Sequence, residues 1–314
     1  MKKDDFKTVS IVIPVLNEED NIIPLHEKIT QAIGPLDYEF EIIFIDDGSK
    51  DGTLEKLENI HQKDNRVKII SHRRNFGKAA AYSSGFQYAH GDIIITMDGD
   101  LQDDPGEIPK FIDKIYEGYD VVNGWKYQGK GPFLKGIPSK ISNKVTSLLS
   151  GVHLHDFNCP FKAYIHEVVK SLQIYGDQYR FIPLLAIKRG FTVTEIKISN
   201  LPRRHGKSKY GANKFLNGFL DLLTILFLTK FATSPLHLYG TIGLFFSSIG
   251  SIILLYLLSQ VMQGVGIGRR PLLTMGVLLF ITGIQFVSVG LICEMIINTK
   301  SFSRDRLNIK KILE

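Results

Sequence analysis

The chain has 314 residues, 44% of them apolar, and a formal net charge of +6. That length suits one large domain or two small ones. Its two cysteines, Cys159 and Cys293, exclude a disulfide framework and stand at no metal-binding spacing, and its basic residues show none of the aromatic interleaving of a nucleic-acid surface.

Strand and helix patterns alternate from the start. "TVSIVIPVLN" (8–17) reads as a strand and "EEDNIIPLHEKITQAI" (18–33) as a helix interrupted near Pro24. A strand over 38–49, a helix over 53–64 and a strand over 66–74 follow. "GKAAAYSSGFQYA" (77–89) predicts a helix of small residues, and "DIIITMD" (92–98) a fourth strand. This order predicts an α/β fold, a doubly wound and mostly parallel sheet with helices on both faces. Such sheets bind ligands at the carboxyl ends of their strands. There the order places Asp46 and Asp47, then Arg73, Arg74 and Asn75, then Asp98 and Asp100. No GxGxxG or GxxxxGK[ST] follows these strands, which argues against a dinucleotide fold or a P-loop.

The stretch "DIIITMDGDLQDDP" (92–105) then crowds Asp98, Asp100, Asp103 and Asp104 together. Like charges this close repel. Two carboxylates one residue apart after a buried strand suit a hard divalent cation, Mg²⁺ or Mn²⁺. Gly99 is expected to let the backbone turn tightly between them. Asp104, Pro105 and Glu107 read as a helix N-cap, first turn and capping box. Cys159 reads as a small packing residue.

The last third is different. Tyr239–Leu258 and Leu272–Ile297 are apolar all round and long enough to cross a bilayer. With the short linker "SQVMQGVGIGRRP" they form a predicted transmembrane hairpin. Arg203, Arg204, Lys207, Lys209, Lys214 and Lys230 precede it, and Lys300, Arg304, Arg306, Lys310 and Lys311 follow. The positive-inside bias therefore puts the N-terminal domain and both termini in the cytoplasm. "NKFLNGFLDLLTILFLTKF" (213–231) reads as an interfacial helix. The predicted organisation is a catalytic domain (1–212), an interfacial region (213–234), the hairpin (235–299) and a basic tail (300–314).

"SIVIPVLNEEDNI", "IIFIDDGSKDGT", "RNFGKAAAYSSGFQYAHGD", "MDGDLQDDP" and "RRHGKSKYG", in this order before a two-helix hairpin, resemble family 2 glycosyltransferases of the GT-A fold. Among these the chain is similar to bacterial polyprenyl-phosphate glycosyltransferases of the inner membrane, relatives of dolichyl-phosphate mannose synthase. The resemblance implies that Pro14, Glu18, Asp46 and Asp47 line a nucleoside pocket. It implies that Asp98 and Asp100, with Gln102 nearby, hold the metal against the diphosphate of a nucleotide-sugar, and that Gly99 and Lys78 touch the donor. In "DFNCPFKAY" (156–164) it makes Asp156 a catalytic base beside Asp100, with Asp177 as second choice; Lys162 stands where Arg is common. Lys126, Arg204, Lys207 and Lys209 are expected at the acceptor phosphate. Also implied are an undecaprenyl phosphate acceptor and a homo-oligomer such as a tetramer; the donor is expected to be a UDP-sugar first and GDP-mannose second, with UDP-glucose taken first and UDP-galactose and UDP-N-acetylhexosamines left open, since no motif reads the sugar. The alternatives are a processive polysaccharide synthase and an inactive membrane scaffold. The first usually carries Q-x-x-R-W and more spans; this chain has "DQYRFIP" and two.

Overall fold

The computed structural model describes residues 6–127, 154–172, 178–199, 201, 234–266 and 271–301. The chain divides into two units, residues 1–223 and 224–314. In the first, chain order is β1 (Thr8–Val15), α1 (Glu19–Ile33), β2 (Glu39–Asp46), α2 (Thr53–His61), β3 (Val67–Ser71), α3 (Lys78–Tyr88), β4 (Ile93–Thr96), α4 (Ile108–Tyr116), β5 (Val121–Lys126), β6 (Lys162–Ile165), α5 (His166–Ser171), α6 (Ile182–Lys188) and β7 (Val193–Ile198).

The strands are runs of β-branched residues buried on both faces. Ile11, Val12, Ile13, Ile43, Phe44, Ile45, Ile94 and Ile95 are all fully buried, and burying each such side chain stabilises the fold by about 1.5–3 kcal/mol. They form one seven-stranded sheet in the order β3-β2-β1-β4-β6-β5-β7. Only β6 runs against its neighbours; the other pairings are parallel. The order reverses between β1 and β4, the place where open sheets form a ligand crevice.

Helix faces follow the 3.6-residue period. On α4, Ile108, Phe111, Ile112 and Ile115 are buried, and Phe111 stacks on Phe161 with centroids 4.4 Å apart. The small residues of α3 have a steric cause: a Cβ on Gly85 would meet Ile45 Cδ1 at 2.9 Å, so the helix rides close to the sheet.

Three local expectations change. The α1 helix runs unbroken through Pro24; the carbonyl that Pro24 leaves without its helical partner belongs to exposed Asp20. Strand β1 stops at Val15 because Asn17 takes a φ of 51°, held by bonds to Ser49 Oγ and Lys50 N–H. Asp104 caps a 3-10 turn, Pro105–Glu107, by accepting from Gly106 N at 3.1 Å. Glu107 does not close a capping box: it pairs with Lys110 and accepts from Ser199.

The second unit holds α7 (Pro235–Met262) and α8 (Pro271–Ser301). Pro235–Met262 and Pro271–Ile297 have mean hydropathies of 2.1 and 2.2 and are long and apolar enough to cross a membrane. Helix α7 continues through Ser259–Met262, the start of the predicted linker, because nothing breaks it before Gly264, whose φ of 80° ends it. Val265 N–H closes the end on Gln260 O at 3.0 Å. The two helices touch through glycine: a Cβ on Gly250 would lie 2.5 Å from Phe280 N, and one on Gly283 2.5 Å from Gly243 O. Glu294 accepts from Leu236 N–H at the start of α7, a favourable place for a carboxylate.

Candidate active site

A cavity of about 570 Å³ opens at the switch point, lined by the ends of β1 (Pro14, Val15) and β4 (Asp98, Gly99, Asp100), with Glu18, Asp47, Lys78 and Gln102. A neighbouring cavity of about 690 Å³ is lined by Asp46, Lys50, Arg73 and Arg74 among others. Leu16 and Asn75 line both.

Asp98 is ion-paired with Lys78. Behind it lies Asp103, fully buried, whose carboxylate accepts from Asp98 N–H at 3.0 Å and pairs with Lys126 at 2.8 Å. Burial alone would lower the Lys126 ammonium, but the Asp103 carboxylate more than offsets it, and Lys126 is held above the ordinary lysine value. Lys78 and Lys126 thus hold the crowded aspartates together. Asp100 is 7% exposed and its Oδ1 accepts from Gln102 N–H at 3.2 Å.

Gly99 serves differently from the expectation. It has no positive φ; the left-handed residue of this turn is Leu101, at 59°. Glycine is needed for space, since a Cβ there would lie 2.6 Å from Val15 Cγ1.

The other wall is set by Asp47, whose carboxylate accepts from the N–H groups of Phe76 and Gly77, both at 2.9 Å, and bonds His72 Nδ1 at 2.8 Å. His72 Nε2 reaches Ser84 Oγ at 3.0 Å. With its φ of 90°, Gly77 turns the chain into α3. Asp47 and His72 thereby fix the start of the helix whose first residue, Lys78, meets Asp98.

Of the residues expected at the donor, Pro14, Glu18, Asp47, Lys78, Asp98, Gly99, Asp100 and Gln102 line the first cavity together. Asp46 does not; it lines the second, its carboxylate accepting from Ser49 N–H and Ser71 Oγ. Lys126, expected at an acceptor phosphate, pairs with Asp103 and is outside both linings. Asp156, 8% exposed, is also outside them. Arg204, Lys207, Lys209, Asp177 and the interfacial segment 213–231 lie outside the described residues. Sequence reasoning missed Asp103 as an anchor and His72 as its counterpart on the other wall. Burial of Cys159 pushes its thiol up to about 12, in keeping with a packing role.

Hard oxygen donors paired on one wall suit Mg²⁺ or Mn²⁺. Among the described residues no three His, Cys, Asp or Glu side chains group to hold a metal by themselves. Asp98 and Asp100 therefore fit an ion whose remaining ligands come from a substrate or water.

The fold is shared with glucosyl-3-phosphoglycerate synthase from Mycobacterium tuberculosis. The structure with phosphoglyceric acid superposes with a TM-score of 0.56 at 19% identity, covering 71% of this chain and 80% of that one. The structure with Mn²⁺, UDP and glucosyl-3-phosphoglycerate gives 0.55 at 20%, with the same coverage. These likenesses define the class of the first unit, a GT-A-type α/β fold. The family model "Glycosyl transferase family 2" matches residues 10–173, and the chain belongs to that family. The chain is 35% identical over 297 residues to a dodecaprenyl-phosphate galacturonate synthase of Rhizobium johnstonii, covering 93% of this chain and 88% of the relative. It is 33% identical over 299 residues to an undecaprenyl-phosphate 4-deoxy-4-formamido-L-arabinose transferase of Aeromonas hydrophila, covering 94% and 90%.

Proposed function

We propose that the protein transfers a sugar from a nucleotide-sugar, a UDP-sugar first, to a polyprenyl phosphate such as undecaprenyl phosphate, with inversion at the anomeric carbon. The observation that carries this is the cavity at the β1/β4 switch point, where Asp98, Asp100, Gln102 and Lys78 meet on one wall. The names of the relatives supply the acceptor class.

A phosphate monoester has its second pKa at about 6, so the acceptor is mostly dianionic at neutral pH and already nucleophilic. One of its oxygens attacks the anomeric carbon as the bond to the nucleoside diphosphate breaks, and the departing diphosphate keeps the electron pair. Asp98 and Asp100 would hold a Mg²⁺ or Mn²⁺ ion, which when bound would neutralise charge on that diphosphate. Gln102 stands beside this pair, and Lys78 brings a second cation to the same wall. Pro14, Glu18 and Asp47 shape the donor pocket, and the neighbouring Asp46 cavity extends it toward the nucleoside. Glu18 is fixed for this by a bond from Asn21 Nδ2 at 2.7 Å. Asp156, which lines neither cavity, is assigned to the reacting centre by the family resemblance, as base or as a group that orients the acceptor. Arg204, Lys207 and Lys209 are assigned to the acceptor phosphate on their sequence position before the hairpin.

The two long apolar helices support a location in a bacterial inner membrane. The basic residues flanking the hairpin favour a cytoplasmic catalytic unit and cytoplasmic termini. The assembly is a homo-oligomer, a tetramer by family resemblance.

The relatives are named for galacturonate and 4-deoxy-4-formamido-L-arabinose, and no motif of this chain selects UDP-glucose over them. The test is transfer of labelled sugar to undecaprenyl phosphate by purified protein in detergent. The donor panel holds UDP-glucose, UDP-galacturonate, UDP-4-deoxy-4-formamido-L-arabinose and GDP-mannose, each with Mg²⁺, Mn²⁺ or EDTA. Lipid-linked product that EDTA abolishes is expected. Donor hydrolysis without lipid product would overturn the acceptor, and no donor binding at all would leave an inactive scaffold.

A further inference from the structure

Three polar strand residues stand side by side inside the sheet. Thr96 on β4 is in register with Lys162 on β6, and Lys162 with Asn123 on β5. All three are at most 2% exposed, and residues in register share a face. Each donates to the main chain of the segment that leads into β6. Asn123 Nδ2 bonds Asp156 O at 2.8 Å. Lys162 Nζ bonds Phe157 O at 3.2 Å and also Cys159 O. Thr96 Oγ1 bonds Pro160 O at 2.8 Å. The Asp156 carboxylate is tied to the same segment, since its Oδ1 accepts from Asn158 N–H at 3.2 Å.

Buried carbonyls need donors, but neutral ones would suffice. A buried ammonium is costly, and burial lowers Lys162 to about 8. An ammonium on a long stem, however, can reach two carbonyls at once from a strand position.

We infer that Thr96, Lys162 and Asn123 are positioning residues that set the place of the Asp156 carboxylate by gripping its main chain from beneath. The inference rests on the reading of Asp156 as a group acting at the reacting centre. The row explains why a segment without strand or helix can hold a carboxylate in one place: its carbonyls are anchored to three strands, which the sheet itself keeps in register.

The molecule carries its own reporter. Trp125 is the only tryptophan. It lies on β5 two residues after Asn123 and stacks on His155 with centroids 3.9 Å apart and planes 10° apart. His155 immediately precedes Asp156, so a shift of the segment disturbs this stack and changes Trp125 emission.

The experiment measures turnover, donor KM and Trp125 emission for the full chain in detergent, as wild type and as K162M, K162R, T96V and D156N. K162M is expected to change the emission and lower kcat by about 10–100-fold, as a small misplacement does, with donor KM within about twofold. K162R, which keeps the donors, is expected to recover most of both. T96V removes one bond with little change of shape and gives a smaller change of the same kind; it carries the test if K162M does not fold. Wild-type emission and kcat in both K162M and T96V would overturn the inference, as would a kcat loss in K162M with unmoved emission. D156N at wild-type turnover would remove the reading of Asp156 and the inference with it. A loss in D156N beside unmoved emission in K162M would remove the inference alone.

Discussion

At the carboxyl edge of the sheet polar and charged groups are paired and at least partly buried: Asp103 against Lys126, Asp98 against Lys78, Asp47 against His72. Between Ser234 and Ile297 of the hairpin, Glu294 is the only charged residue among those described, and the helices meet where glycines let their backbones approach. The contrast follows from the solvent each region is built for. In a water-soluble unit apolar burial pays for a few costly ionic contacts, and those contacts gather where a substrate needs them. In lipid, helices gain little from hiding apolar surface, so close packing supplies the attraction. Substitutions in the two regions therefore fail in different ways.

The largest expected effect is on chemistry. Asp100→Ala removes a carboxylate from the pair proposed to hold the metal, and turnover should fall on the order of 10³-fold. The melting temperature should hold or rise slightly, because a negative charge leaves a crowded acidic turn. Parallel assays of turnover and thermal unfolding check this, and EDTA on the wild type should reproduce the activity loss. A large drop in melting temperature would mean that Asp100 is structural.

Next comes Lys126→Met, whose effect should be on stability. It leaves fully buried Asp103 without its cation, and breaking a buried pair from one side costs about 3–5 kcal/mol. The catalytic unit should melt roughly 10 °C lower, and adding Asp103→Asn should restore more than half of that. If Lys126 instead serves an acceptor phosphate, the variant would keep its melting temperature and raise the lipid KM.

This division between chemistry and stability was only partly legible in the sequence. The first four strands and their carboxyl-end aspartates could be read because apolar runs and turn residues are local signals. The Asp98–Asp100 pair followed from that order, whereas Lys78 was named only through the family resemblance. The pairing of Lys126 with Asp103 could not be read because Asp103 is 23 positions away and is brought to it by the β5 and α4 packing, which no periodicity encodes. The Thr96–Lys162–Asn123 row was invisible for the same reason, since its register joins β6 to β4 past the intervening β5, and to β5 across a long stretch of chain. One signal was available: Asn123 interrupts the apolar alternation of "VVNGWK" at a buried position. In the hairpin, composition sufficed to find the helices, but the contacts of Gly250 and Gly283 needed the structure.

Gly283→Leu should break the hairpin and spare the donor pocket. The side chain would drive into the α7 backbone at Gly243 O, and overpacking of this kind costs about 1–3 kcal/mol. Faster amide exchange across α7 in detergent is expected, with unchanged UDP affinity. Equal protection in the variant would mean that the glycine contact contributes no attraction.

The smallest effect should come from an ion pair near water, and its pH dependence sharpens the contrast with Lys126. Asp64 accepts two bonds of 2.8 Å from Arg66 and one of 2.9 Å from His26. The Arg66 bonds, against the opposing pull of burial and with help from His26, hold the Asp64 carboxyl far below its ordinary value of 3.8. A depressed folded pKa stabilises the fold above the unfolded value, and the contribution is lost as pH falls below it. Because the Arg66 side chain is 44% exposed, solvent screens the pair, and no more than about 1 kcal/mol is expected. Asp64→Asn should therefore lower the melting temperature slightly at pH 7. As the pH drops below about 4, the gap to wild type should close. A gap that stays constant down to low pH would place the effect in packing and not in the ionised carboxylate.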